Sequence, residues 1–152
     1  STITWNWKTQ YKLTTTVNPS GTGTITPASD TWHDAGDITV TASANPGYVF
    51  VNWSGNLSGS INSVTLTMDG PKSVTANFGY ALTVVNPGDH DTPTPRVGSY
   101  NYTPGASVTC SVTSPADEAG GTRYVCTGWT GTGSVPASGT EATVTFTIDE
   151  NS

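Results

Sequence analysis

This chain has no apolar run long enough to span a membrane as a helix, which takes about 20 residues, so it reads as having no membrane span. Cations are scarce: five Lys and Arg stand against eleven Asp and Glu, a net charge of −6. Lys8, Lys12, Lys72, Arg96 and Arg123 are scattered along the chain. Phosphate backbones and anionic lipid surfaces are bound by clustered cations, so neither nucleic acid nor a membrane surface is an expected partner. Helical spacing is missing too. No window of a dozen residues repeats apolar side chains at three, four and seven positions. The two cysteines lack the CxxC spacing of a redox or zinc site.

Catalytic patterns are equally sparse. His33 lies near Asp30, Asp34 and Asp37, and His90 between Asp89 and Asp91. Such loops more often form Asx turns than converging metal ligands. No GxSxG elbow occurs, and "GTGTITP" has no following Lys or helix to make it a phosphate loop. A glycosidase needs two placed carboxylates. Asp117 and Glu118 fall in an insertion loop, and Asp149 and Glu150 at a strand end. No catalytic residue, metal or cofactor is assigned, and the chain is read as a non-enzyme.

What the chain has in abundance is Thr, Ser and Gly, with Val, Ile, Tyr, Phe and Trp alternating among small polar residues. That period of two is the mark of half-buried strands and predicts an all-β fold. The pattern also repeats. "YVFVNWSG" from Tyr48 aligns with "YVCTGWTG" from Tyr124, "VTLTMDG" from Val64 with "VTFTIDE" from Val144, and "GDITVTASA" from Gly36 with "GASVTCSVT" from Gly105. Both units start alike, "YKLTTTVNPSG" at Tyr11 and "YALTVVNPGD" at Tyr80. Four blocks in one order define a first repeat domain, 11–79, and a second, 80–152.

The first unit continues past "TMDG" into "PKSVTANFG", whereas the second reaches "TIDE" and then "NS". The counterpart of that last strand is the opening "STITWNW": Ile3 matches Val74, Trp5 matches Ala76 and Trp7 matches Phe78. Residues 1–10 are therefore expected to be a strand that completes a second domain. Ile3, Trp5 and Trp7 share one face, and burying them is worth on the order of 5–9 kcal/mol. Their acceptor is expected around Tyr80, Leu82, Phe146 and Ile148. Lys8, Thr9 and Gln10 tether the strand over only about 10 Å, so the expected acceptor is the second domain of another copy. Such a head-to-tail contact does not close and builds a filament by strand donation. The rival expectation is one period of a long covalent tandem array.

Unit 1 resembles the divergent internalin-type B-repeat, through "NPSGTGTITP", "NPGYVFVNWSG" and "DGPKSVTANF". Unit 2 resembles it less closely, with "NPGDHDTPTPRVGSYNYTPG" diverged and an insertion in "SPADEAGGTRYVC". The resemblance implies a small β-rich domain related to the β-grasp, carried in tandem on bacterial surface proteins as a spacer or adhesive element without chemistry. Localisation is accordingly expected to be extracellular or at the cell surface.

Trp53 and Trp129 are equivalent and read as core residues. Trp32, in "SDTWHDAGD", and Tyr100 and Tyr102, in the "GSYNYTPG" loop, are the candidate contacts for a glycan. Cys110 stands where unit 1 has Val40, and Cys126 where it has Phe50. If those strands are neighbours, a Cys110–Cys126 disulfide closes a loop of roughly 15 residues, worth about 3 kcal/mol, in an oxidising compartment. Two reduced core thiols are the alternative.

Overall fold

The computed structural model describes the backbone of all 152 residues and the side chains of all but 117–119. The carboxylates of Asp117 and Glu118 therefore lie outside the described residues. The fold is all-β, and no helix occurs among the described residues, so the helix of a β-grasp is absent from them. Contacts divide the chain into two units. Unit 1 holds Ser1–Pro46 and Phe50–Phe78, and unit 2 holds Gly47–Val49 and Gly79–Ser152.

Unit 1 is built from two sheets. The first contains β1 (Gln10–Asn18), β3 (Thr31–Asp34), β5 (Val49–Gly55) and β7 (Lys72–Val84), in the order β3-β1-β7-β5. β1 runs antiparallel to β3 but parallel to β7, with Leu13 opposite Lys72 and Thr15 opposite Val74. The second sheet is β2 (Gly23–Thr26), β4 (Gly36–Ala44) and β6 (Ser63–Met68), antiparallel in the order β2-β4-β6. Alternation sends Val40, Ala42, Leu66 and Met68 inward from this sheet to meet Leu13, Trp53, Val74, Ala76 and Phe78 from the other. The opposite face carries hydroxyls: Thr41 Oγ1 lies 2.9 Å from Ser63 Oγ, and Thr67 Oγ1 donates to Asp37 Oδ1 at 2.6 Å.

The last strand of unit 1 is central to its core. Val74, Ala76 and Phe78 are all fully buried. A Cβ added at Gly23 would come within 2.4 Å of the Phe78 ring and 2.6 Å of the Ser43 carbonyl oxygen, so glycine is what lets β2 close over that ring. Polar side chains tie the same sheet together. Asn18 Nδ2 donates to Asn77 Oδ1 at 2.9 Å, and Asn77 Nδ2 donates onward to Asn52 Oδ1 at 2.8 Å.

Unit 2 repeats this plan incompletely. The second part of β7 pairs antiparallel with β8 (Gly98–Tyr102), as β1 pairs with β3. β9 (Ala106–Ser111) pairs with β14 (Thr143–Ile148), as β4 pairs with β6. The insertion expected as a loop forms a small hairpin, β10 (Ala116–Ala119) with β11 (Thr122–Tyr124). A two-residue pairing of β12 (Trp129–Thr130) with β13 (Ser138–Gly139) takes the place of the Trp53–Gly59 bridge.

Candidate functional site

The two units differ most where the last strand of unit 1 lies. Among the described residues, the core of unit 1 has nine buried side chains, three of them from Lys72–Phe78, whereas unit 2 has four: Leu82, Val108, Phe146 and Ile148. Beside those four is a cavity of about 920 Å³, lined by Leu82, Val84, Cys110, Cys126, Trp129 and Phe146 among others. That volume is at the upper end of the range for ligand-sized sites.

The walls of this cavity are the counterparts of the surfaces that β1 and β5 present to β7 in unit 1. On one side runs Leu82–Val84, equivalent to Leu13–Thr15. On the other lies Val125–Gly128, equivalent to residues of β5 but outside any strand. Val125 and Tyr124 stay exposed there, at 56% and 43%. An extended backbone without a ladder partner on this edge has no reason to become a regular strand. The indole nitrogen of Trp129 reports the same deficit. Trp53 Nε1 donates to the Ile61 carbonyl at 2.9 Å, whereas Trp129 Nε1 is buried with no acceptor among the described residues.

One rung of the absent pairing is nevertheless formed. Ser152 N donates to the Ala81 carbonyl and Thr83 N donates to the Ser152 carbonyl, both at 2.9 Å. Asn151 Oδ1 also accepts from Ala81 N at 2.8 Å, and Ser134 N donates to Ser152 Oγ at 2.9 Å. Ser134 Oγ in turn accepts from Asp149 N and Glu150 N, fixing the turn that leads out of β14.

Of the expected acceptor residues, Leu82, Phe146 and Ile148 are buried together, with Tyr80 packed against them. Burial raises the Tyr80 phenol above its ordinary pKa, and Tyr48, its ring centroid 5.5 Å away, adds to the shift. Leu82 and Phe146 line the cavity directly. The expected donor residues lie in Ser1–Thr9, which forms no strand. Ile3 is 73% exposed, Trp5 73% and Trp7 91%. Near the end of the segment Lys8 Nζ pairs with Asp34 Oδ1 at 2.8 Å, and Gln10 Nε2, at the start of β1, donates to the same Oδ1 at 2.7 Å. The Lys8 ammonium, with help from the Gln10 amide, holds the Asp34 carboxyl below its ordinary pKa.

The disulfide expectation requires correction. Cys110 and Cys126 are both free thiols. The premise that their strands are neighbours fails, because the matching strands of unit 1, β4 and β5, belong to different sheets. Cys110 sits on β9 opposite Val144, and Cys126 lies outside any strand with its Sγ directed to the Gly128 carbonyl at 3.5 Å. Burial pushes the Cys110 thiol above its ordinary pKa.

The three candidate glycan contacts fall on different units. Trp32 belongs to unit 1 and is 63% exposed on β3. Tyr100 and Tyr102 belong to unit 2 and lie on strand β8, not in a loop. The Tyr100 hydroxyl donates to the Arg96 carbonyl at 2.9 Å, and Tyr102 packs against the core. His33 Nε2 is 2.8 Å from Thr31 Oγ1, and His90 stacks on Tyr124 with centroids 3.5 Å apart. No three His, Cys, Asp or Glu side chains converge as a metal site among the described residues.

What sequence reading missed is the rung at Ser152 and the room left at the groove wall by a small side chain. The signal for the second was visible: Cys126 stands where unit 1 has the larger Phe50. No curated protein and no solved structure matches the chain. Residues 13–82, a stretch that runs from Leu13 through the completing strand to the equivalent Leu82, match the divergent InlB B-repeat domain.

Proposed function

We propose that this protein is a structural subunit of a bacterial extracellular or cell-surface fibre, in which Ser1–Trp7 of one copy completes unit 2 of the next. The observation that carries this reading is the contrast between equivalent places. In unit 1 a strand bearing Val74, Ala76 and Phe78 is fully buried, while unit 2 has a 920 Å³ groove there. The same chain presents a matching strand sequence with Ile3, Trp5 and Trp7 in solvent.

Size complementarity supports the pairing. Phe50 packs edge-on to Phe78, with ring centroids 5.8 Å apart. Replacing Phe50 by the small Cys126 leaves room for an indole in place of Ala76 or Phe78. Swaps that conserve total volume are the ones a core tolerates. Burial of the three donor side chains contributes about 5–9 kcal/mol before the cost of association. The repeat type is one carried by bacterial surface proteins, in keeping with a mechanical role and no catalysis.

Negative-stain electron microscopy of the purified protein tests the proposal. Filaments are expected from the intact chain, and none from a chain lacking Ser1–Lys8 that keeps its β-sheet circular dichroism. Filaments of unchanged appearance after that deletion would refute it. The rung at Ser152 favours a second reading, in which a polypeptide continuing past Ser152 supplies the strand in cis. Intact mass under denaturing conditions separates the two. A single species at 15.7 kDa supports exchange between chains, and a ladder of multiples supports the covalent array.

A further inference from the structure

We infer that the strand taken up by unit 2 runs parallel to the second part of β7, with Ile3 beside Val84, Thr2 beside Thr83, and Ser1 on the rung now held by Ser152. This rests on the exchange reading above and adds the direction and register of the partner strand.

The rung itself supplies the direction. A residue whose N–H bonds one carbonyl and whose C=O bonds the N–H two residues further along the neighbour makes a parallel bridge. Ser152 does this across Ala81 and Thr83, so it is bridged to Leu82. In unit 1 the equivalent Leu13 is bridged in parallel to Lys72. Leu13 and Leu82 are both buried, and Lys72 and Ser152 stand four residues beyond Met68 and Ile148, the equivalent buried ends of β6 and β14. The first rung in each unit is therefore the same rung.

Counting onward sets the register. In unit 1, Thr14 lies opposite Ser73 and Thr15 opposite Val74. Transferred to unit 2, Thr83 meets Thr2 and Val84 meets Ile3. The faces agree by alternation: Leu82 is buried and Val84 half-buried on the groove wall, while Thr83, which also borders the groove, is the exposed residue between them. A slip of one residue turns Ile3, Trp5 and Trp7 to solvent and Thr2, Thr4 and Asn6 into the cavity, so the apolar face enforces the pairing. The far end fits as well. Asn77 Nδ2 reaches Ser54 Oγ at 3.1 Å in unit 1. Asn6 takes the place of Asn77, and Thr130 keeps a hydroxyl at the place of Ser54. Because Ser1 and Ser152 claim one rung, seating the strand displaces Ser152 from Ala81 and Thr83.

The test uses the full chain, isotope-labelled and carrying Ile3→Glu and Trp5→Glu to disable its own donor strand, with a synthetic peptide of sequence STITWNWKT as probe. A spin label before the peptide's Ser1 is expected to broaden amide signals most strongly around Leu82, and a label after its Thr9 most strongly beyond Asn86. The Ser152 amide should shift as its bond to Ala81 is lost. Saturable binding with the two broadening patterns exchanged overturns the parallel direction while leaving strand exchange standing. Binding with the Ser152 amide unmoved overturns the register. No binding of the peptide overturns the exchange reading itself, and this inference with it.

Discussion

Phe78 shows what a completing strand contributes at the scale of one residue. Its ring is fully buried, meets Phe50 edge-on and lies against the bare backbone of Gly23. Replacing Phe78 by Ala should cost about 3–5 kcal/mol, as for other large aromatic truncations in a core. Urea unfolding of unit 1 followed by fluorescence checks this, and a loss below about 1 kcal/mol would show that the ring does not hold the sheets together. The cysteines have a separate chemical signature. Two free thiols per chain should react with a thiol reagent in denaturant without reductant, whereas a disulfide would leave none. In the folded protein Cys110 should alkylate slowly near neutral pH, because burial both shields it and raises its pKa. The carboxylates behave in the opposite sense. Lys12, Lys8 and Lys72 hold Asp30, Asp34 and Asp69 below the ordinary value of 3.8. A carboxyl with a depressed folded pKa stabilises above its unfolded value and loses that contribution as pH falls through the folded one. The melting temperature of unit 1 should thus be level from pH 8 to 5 and fall only below about pH 4. A decline beginning near pH 6 would contradict these assignments.

At the scale of elements, the groove in unit 2 is a question of which strand lies between two others. Cys126 sits where a phenylalanine fills unit 1, so Cys126→Phe should refill part of the cavity. The expected result is a monomer stabilised by roughly 0.5–2 kcal/mol, in the range of other cavity-filling changes, that no longer accepts a donor strand. Thermal melts and sedimentation read the two effects together. Unimpaired assembly by this variant would mean that the donor indoles do not enter beside residue 126. The same elements show what was legible in the sequence. Equivalence of the repeats placed Trp53 with Trp129 and Leu13 with Leu82, because each block keeps its period-two alternation and its turn residues. Equivalence said which positions face a core but not which sheet carries them, and the expected disulfide failed for that reason. "GSYNYTPG" was expected as a loop because Gly and Pro frame it; pairing with Tyr80–Val84 makes Gly98–Tyr102 a strand. The hairpin β10–β11 had no alternating apolar signal to announce it, since "ADEAGGTRY" is polar almost throughout.

For the whole molecule, the proposed function makes Ser1–Trp7 a donor and unit 2 an acceptor, held on the same chain and used between copies. A chain with both functions gives open polymers, since each addition leaves one donor and one acceptor at the ends. Disabling one function per chain converts polymerisation into stoichiometric pairing. The most direct measurement is therefore analytical ultracentrifugation of two variants, apart and mixed. One carries Ile3→Glu, Trp5→Glu and Trp7→Glu, and keeps its groove; the other carries Cys126→Phe, and keeps its strand. Each alone should sediment as a monomer, and an equimolar mixture as a one-to-one heterodimer that grows no further. Polymers from either variant alone, or a mixture in which both stay monomeric, would contradict the account.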